Sequence, residues 1–333
     1  MEDIQTIYKL ILIFLYSFFS TSWALPYVNS RLIKFNYMVE DKYKKTKNKI
    51  PYMGGMAILG GILISLSLSQ IFETLNPGDK GFISHGIGSL FIFYFIILIY
   101  ALFGVLDDLF KPKKRYDKII AILLLSFPIA SLMTDTSIDI FSLNWELGGV
   151  YSLILAPIYI MVVANLVNLH SGYNGLAMGN AWLILLTILI KSYMQSGLEN
   201  LIFVLPVFGA LTAFLPWNIY PAKMLEGNVG SFLIGGAIGA SLIALNMEIF
   251  GIFILIPHII NFIMDTLTIA ILKKKDVKFG NLRKDGTIEA PPSMKFKSLK
   301  FLLVSWFRLT ESQATNMLMF LTASFCILGL FLF

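Results

Sequence analysis

Residues 87–115 read IGSLFIFYFIILIYALFGVLDDLFKPKKR. Residues 87–106 carry no charge, and about 20 such residues cross the hydrocarbon of a bilayer as a helix. The run lacks the period-two alternation of a strand, and a sheet in lipid would have to close into a barrel. Two adjacent acids, Asp107 and Asp108, end the run, and Lys111, Lys113, Lys114 and Arg115 follow. This is a membrane helix that stops at a charged boundary.

The same reading applied outward gives ten candidate spans: 4–27, 52–72, 87–109, 118–134, 148–168, 176–194, 199–217, 229–246, 249–272 and 313–333. The expected fold is all-α, a polytopic membrane protein with about ten transmembrane helices in one domain over 1–333. Composition agrees. Apolar residues make up 57% of the chain and charged residues 14%, whereas soluble domains run at about 45–50% and about 25%. Cys326 is the single cysteine, which excludes a disulfide framework and a thiol metal cluster. His85, His170 and His258 are too scattered for a zinc site. The first apolar run is long enough to span and shows no small-residue cleavage site, so no cleavable signal is expected.

The basic residues are not spread evenly. All but Lys9, Lys80 and Lys191 fall after the first, third, seventh and ninth spans. Positive charge marks cytoplasmic loops, so the odd-numbered loops are expected inside and both termini outside. The net charge of +6 is therefore topological, and no nucleic-acid partner is expected. The longest polar stretch, 273–312, contains Phe301–Phe307 (FLLVSWF), which is too short to span and reads as interfacial or re-entrant.

Four constellations on these loops carry chemistry, the fourth being the basic segment 273–300. In the first, Asp107 and Asp108 repel each other and need a cation, basic neighbours or water to stay ionised. Lys111 lies one helical turn beyond Asp108. The pair reads either as a magnesium-diphosphate site with a carboxylate to spare as base, or as interfacial acids paired with nearby lysines. The second is Asn165-Leu-Val-Asn168-Leu-His170-Ser-Gly172-Tyr-Asn174-Gly175. Its amides and glycines suit a wet, phosphate- or base-binding turn, or a helix cap with interhelical asparagines. The third is Glu226-Gly227-Asn228-Val-Gly230-Ser231, which opens a helix and offers free amides to an oxyanion or only an N-cap. Arg283 and Lys284, in the basic segment 273–300, could hold phosphate or sugar hydroxyls, while Lys273–Lys275 read as a topological anchor. His258 and Asp265, seven apart, share a helix face and are a further ionisable pair within a span.

Taken together, these motifs resemble the polyprenyl-phosphate N-acetylhexosamine-1-phosphate transferase family, from Ile50-Pro-Tyr-Met-Gly-Gly55 to about Lys297. Within it, Gly172-Tyr-Asn174-Gly175-Leu, Pro257-His-Ile-Ile-Asn261-Phe and Asp285-Gly-Thr-Ile-Glu289 with Phe296-Lys297 are similar to the archaeal and eukaryotic GlcNAc branch. The resemblance implies ten helices, a cytoplasmic active site, and magnesium, with manganese as the other candidate cofactor. It implies UDP-HexNAc and polyprenyl or dolichyl phosphate as substrates, a multi-pass location in a prokaryotic (archaeal) plasma membrane or, for a eukaryotic chain, in the ER membrane, and 273–312 as the sugar-recognition loop. A homodimer is left open. By the same resemblance, Asp107 would act as base or orient the lipid phosphate, and Asp108 would support the metal or a lysine. Lys111 would bind phosphate. Lys118 and Asn165 would bind substrate, and Asn168 would touch the metal or diphosphate. Asn174 and Gly175 would meet the uracil, and Arg283 the diphosphate or sugar.

The informative departure is Asn228, where the family carries a magnesium-binding aspartate. An amide oxygen can ligate magnesium but lacks the charge that retains a hard cation. Tyr52 also replaces an acidic residue expected in this branch. Two rival readings follow: a transporter or scramblase using the same polar loops, and an inactive paralogue that binds the nucleotide sugar.

Overall fold

The computed structural model describes residues 2–46, 48–75, 87–111, 115–131, 136–140, 143–198, 200–268, 279–291 and 298–333. Lys80, Lys113, Lys114, Lys273–Lys275, Lys278, Lys295 and Lys297 lie outside the described residues. Helix occupies each of the ten expected stretches. In chain order the helices are α1 (Glu2–Lys34), α2 (Gly55–Leu75), α3 (Ile87–Phe110), α4 (Arg115–Ser126), α5 (Ala156–Leu169) and α6 (Leu176–Ser196). Then come α7 (Leu201–Asn218), α8 (Gly227–Ala244), α9 (Glu248–Ile254), α10 (Ile256–Thr266), α11 (Leu299–Trp306) and α12 (Glu311–Leu332). Among the described residues, seven helical stretches are long and apolar enough to cross a membrane, or up to eight if α9 and α10 are one bent span. α4 has only 12 residues and continues as a 3-10 turn over Phe127–Ser131.

Exposed side chains such as Trp23, Phe91, Phe320 and Phe331 turn an apolar surface outward, which suits lipid rather than water. α8 is the most enclosed span and packs on α3, α5 and α2. Small residues allow this. A Cβ at Gly235 would sit 2.7 Å from Ala164 Cα of α5, and one at Gly236 2.8 Å from the Tyr100 ring of α3. Close approach through small residues is how helices associate where lipid supplies no hydrophobic force.

Prolines shape two spans. Pro206 inside α7 has no N–H for the carbonyl of Ile202. The Tyr94 hydroxyl of α3 donates to that carbonyl instead, at 3.1 Å. The expected single span 249–272 breaks at Leu255, with a bend of 68° between α9 and α10 and Pro257 in the first turn of α10.

Among the described residues, the loops also carry three two-stranded antiparallel hairpins, where an all-α chain was expected. They are β1 (Met38–Glu40) with β2 (Lys49–Pro51), β3 (Ser137–Ile140) with β4 (Leu143–Glu146), and β5 (Asn281–Leu282) with β6 (Ile288–Glu289). Strands of two to four residues are too short to leave an alternation in the sequence. FLLVSWF falls in α11 and does not span. Phe301 and Val304 of that helix are buried in a small second core with Tyr43, Tyr173, Ile288 and Leu318. This core fastens β6, the turn after α5 and the start of α12 into one wall.

Candidate active site

Asp107 and Asp108 end α3 and reach across to the first turn of α8. The approach depends on Gly104, where a Cβ would lie 2.5 Å from Asn228 O and Val229 Cα. Asp107 is buried and pairs with Lys118 of α4 at 2.5 Å. Its other oxygen accepts from Asn228 Nδ2 at 2.7 Å. Asp108 Oδ2 accepts the Val229 backbone N–H at 3.0 Å, one of the free amides that a helix start offers to a carboxylate. Gly227, at φ +70°, fits here because a Cβ would stand 2.7 Å from Asp108 Oδ2 and 2.8 Å from Met53 N.

Asp108 lines a cleft of about 320 Å³. One hydrogen-bonded part of its wall comes from α3, α5 and α8: Asn168 Oδ1 accepts from Ser231 Oγ at 2.8 Å beside Asn228 and Asp108. Another part is amide and aromatic. There Asn174 is held among Asp41, Lys44, Ala222 and Glu311. Tyr43 packs edge-on against Tyr173 with ring centroids at 5.3 Å and against Phe279 at 6.2 Å. Burial pushes the Tyr43 hydroxyl up to about 12, so it stays protonated and donor-competent.

The cleft lining contains five carboxylates, Glu40, Asp41, Asp108, Glu226 and Glu311, and one lysine, Lys42. Glu226 accepts from Asn218 Nδ2 at 2.9 Å. Burial foremost, opposed by that bond and aided by the charge of Asp108, holds its carboxyl above the usual range. Such a lining repels a diphosphate unless a cation comes with it. Among the described residues, no three His, Cys, Asp or Glu side chains form a metal cage. Magnesium typically takes only one or two carboxylates and keeps water and substrate oxygens. Asp108, Asn168 and Asn228 fit that smaller demand.

The other expected site residues divide. Lys111 closes α3 at φ +46°, with its Nζ 5.9 Å from the ring of Tyr52. Lys118 is spent on Asp107. Asn165 donates back to Met161 O of its own helix at 2.8 Å and is not among the residues of the cleft wall. Gly175, at φ +77°, caps α6 beside Ile219 and is not part of the wall either. Arg283 lies in the β5–β6 turn, donating to Ile288 O at 3.0 Å and facing Glu289 at 3.6 Å. It borders a different, shallow pocket. His258 meets His170, not Asp265, as its ring neighbour, with centroids 4.5 Å apart. Both imidazoles are buried, and burial holds His170 well below its usual range, hence neutral. Lys44 and Glu311 were not singled out as chemistry-bearing by their sequence, and Glu226 and Ser231 entered as members of the Asn228 motif without roles of their own. Only the contiguity of Glu226 and Ser231 with the Asn228 motif signalled them.

This arrangement joins a helix start, a carboxylate pair, clustered amides and an aromatic wall at one end of a membrane bundle. Known proteins with sequences like this one bear on what it does. The chain matches glycosyl transferase family 4 over residues 90–246. It is 27% identical to a candidate UDP-N-acetylglucosamine–dolichyl-phosphate N-acetylglucosaminephosphotransferase of Sulfolobus acidocaldarius, over 88% of this chain and 89% of that protein. A protein of the same description from Saccharolobus solfataricus is 26% identical over 92% and 94% of the two chains. The phospho-N-acetylmuramoyl-pentapeptide-transferase of Streptococcus agalactiae is 31% identical over 70% of this chain and 72% of its own. On this similarity along most of both chains, the protein belongs to glycosyl transferase family 4.

Proposed function

We propose that the protein is a membrane phospho-sugar transferase that moves HexNAc-1-phosphate, as GlcNAc-1-phosphate, from a UDP sugar to a polyprenyl or dolichyl phosphate. The observation that carries this reading is the single cleft holding Asp108, Asn168 and Asn228 together with Asn174 and an aromatic wall. It offers a diphosphate-handling part and a base-sized amide and aromatic part. The names of relatives matched along most of their length support the same donor and acceptor classes.

In the reaction, an oxygen of the lipid phosphate attacks the β-phosphorus of the UDP sugar. A new P–O bond forms, the bond from the β-phosphorus to the bridging oxygen breaks, and UMP leaves with that electron pair. Lipid phosphate is ionised at neutral pH, so the residues mainly position and neutralise. Magnesium, when bound, would offset charge on the diphosphate, with Asp108, Asn168 and Asn228 as its holders. Asp108 takes the cleft-facing role. Asp107, fixed between Lys118 and Asn228, orients Asn228 rather than acting as a free base. Lys111, about one turn past Asp108, is the nearby cation for the incoming phosphate.

The basic loops put this face in the cytoplasm, with about ten spans and both termini outside, in a prokaryotic plasma membrane. Segment 273–312 would contact the sugar. The test is UMP release from UDP-GlcNAc in the presence of a short-chain polyprenyl phosphate and magnesium, with mass spectrometry of the lipid product. No UMP from any of several UDP-HexNAc donors would overturn the transferase reading. Asn228 motivates one rival, an inactive nucleotide-sugar-binding paralogue, and turnover by the wild-type protein excludes it.

A further inference from the structure

The end of α11 carries groups that the cleft does not use. Trp306 closes that helix and is 65% exposed, Phe307 follows it exposed, and the Arg308 side chain is 69% exposed. They stand just ahead of α12, whose start is fixed by a capping box between Thr310 and Gln313. α12 has 22 residues, or about 33 Å of helix, which just crosses a hydrocarbon layer of about 30 Å. Its first turn therefore lies at the hydrocarbon edge, and the residues immediately before it lie at headgroup depth. Indole rings and basic side chains are the groups that settle at that depth.

Behind these rings is a pocket of about 280 Å³, lined by Arg283, Val304, Ser305, Trp306, Phe307 and Arg308. None of the six lines the cleft. Two separate stretches supply the arginines, the β5–β6 turn and the link from α11 to α12. Asp285 of that turn ties the two stretches together. Its Oδ2 accepts from Arg308 Nε at 2.8 Å and faces Nη2 at 2.7 Å. Its Oδ1 is taken by the Thr287 hydroxyl at 2.7 Å and the Thr287 N–H at 3.1 Å. Arg283 Nη1 donates to Ile288 O at 3.0 Å and reaches Thr287 Oγ1 at 3.5 Å, and its Nη2 stands 3.6 Å from Glu289.

A guanidinium has five N–H donors. These contacts hold each arginine in place without using all five. Lys284 is exposed in the same turn, so three cations stand against the two carboxylates Asp285 and Glu289. Guanidinium groups match phosphate in a two-pronged manner that an ammonium lacks. Val304, Trp306 and Phe307 give the same pocket an apolar wall. That combination, at headgroup depth, suits a phosphate carried on acyl chains rather than one free in water.

We propose that Arg283 and Arg308, with Trp306 beside them, bind the phosphate headgroup of an anionic membrane lipid at a site separate from the cleft. Asp285 is the positioning residue that keeps Arg308 against the β5–β6 turn. The site fastens this turn, and with it the wall that α11 and β6 share, to the membrane surface.

The experiment counts lipids bound to the full-length protein in detergent by native mass spectrometry, during titration with phosphatidylglycerol or phosphatidylcholine. The proteins are wild type, Arg308→Gln, Arg308→Lys, the double variant Arg283→Gln/Arg308→Gln, and Arg31→Gln. Arg31 is an exposed arginine in the last turn of α1, over the ring of Tyr27 at 5.0 Å, and controls for surface charge outside the pocket. Wild type is expected to hold phosphatidylglycerol about tenfold more tightly than phosphatidylcholine. The preference is expected to fall severalfold in Arg308→Gln, to vanish in the double variant, to return only in part in Arg308→Lys, and to persist in Arg31→Gln. Thermal melts establish that each variant is folded, and Arg308→Lys carries the test if the glutamine variants are not. No preference in wild type, a wild-type preference in the folded double variant or in Arg308→Lys, or an equal loss in Arg31→Gln each overturns the proposal. Displacement of the bound lipid by millimolar inorganic phosphate would make this a site for free anions and overturn the lipid assignment. The measurement uses no UDP sugar and no turnover, so its failure and that of the transferase reading are distinguishable.

Discussion

Asn228 donates its side-chain amide to Asp107 at 2.7 Å, where the same Asp107 is already paired with Lys118 at 2.5 Å. The amide therefore bridges α8 to α3, and position 228 adds no carboxylate beside Asp107. Asn228→Asp would put two carboxylates at hydrogen-bond distance, an arrangement that needs a cation or a proton. The expected outcome is a variant that requires less magnesium for half-maximal UMP release and melts at a lower temperature than wild type once magnesium is chelated. Magnesium titration of activity, with thermal melts with and without EDTA, checks both. A wild-type magnesium dependence would mean that position 228 does not face the metal.

Lys118 is the cation paired with the buried Asp107 carboxylate. Lys118→Met leaves that carboxylate with the Asn228 amide alone and should cost about 1–3 kcal/mol. Lys118→Arg should retain most of the stability. The double variant Lys118→Met/Asp107→Asn should recover part of the loss, because the unpaired charge is gone. Thermal unfolding of wild type, Lys118→Met, Asp107→Asn and the double variant in one detergent gives the coupling. Additive losses would show that the pair is not coupled in the folded state.

Gly104 and Gly60 form a matched pair for testing the approach of α3 to α8. A Cβ on Gly104 meets the backbone of Asn228 and Val229, whereas one on Gly60 meets nothing within 4 Å. Gly104→Ala should therefore overpack the contact, costing about 1–3 kcal/mol, and should lower transferase activity by displacing Asn228 from Asp107. Gly60→Ala should be neutral or stabilising, since alanine is favoured in helices by about 1 kcal/mol. Equal melting temperatures for the two variants would contradict the close approach.

How much of this was legible beforehand depended on sequence distance. Asp107, Asp108 and Asn228 stood out because each sits in a short polar motif at the end of an apolar run. Asn165 and Asn168 were indistinguishable by spacing. Helix register alone does not say which one turns to Ser231 of α8, and it is Asn168. Lys44 looked like one more topological lysine among Lys42, Lys45 and Lys49. Its partner Glu311 is 267 positions away, and no local pattern links the two. The break at Leu255 was hidden because both halves of the 249–272 run are apolar, and the hairpins because their strands are too short to show a period. The Arg283 assignment rested on the basic segment 273–300 and on the family resemblance, whereas the β5–β6 turn engages that guanidinium with Ile288 and Glu289.

Glu226 gives the protein a pH dependence whose sign can be worked out. Its carboxyl, at the cleft wall, is held above the ordinary 4.5 mainly by burial, and then by the charge of Asp108, against the donated bond from Asn218. Between 4.5 and the raised folded value, the folded state binds a proton that the unfolded chain has released. Stability must then fall as pH rises through that window. The contribution is fully present below the unfolded value and is lost once the folded carboxyl ionises. Glu226→Gln mimics the protonated form at every pH. It should melt like wild type in acid and above wild type at neutral pH, with the gap opening as pH rises. A series of thermal melts from acid to neutral pH in one detergent measures the difference. A gap that closes instead of opening would mean that Glu226 is stabilised as the anion, and that the cleft carries enough positive charge without a metal.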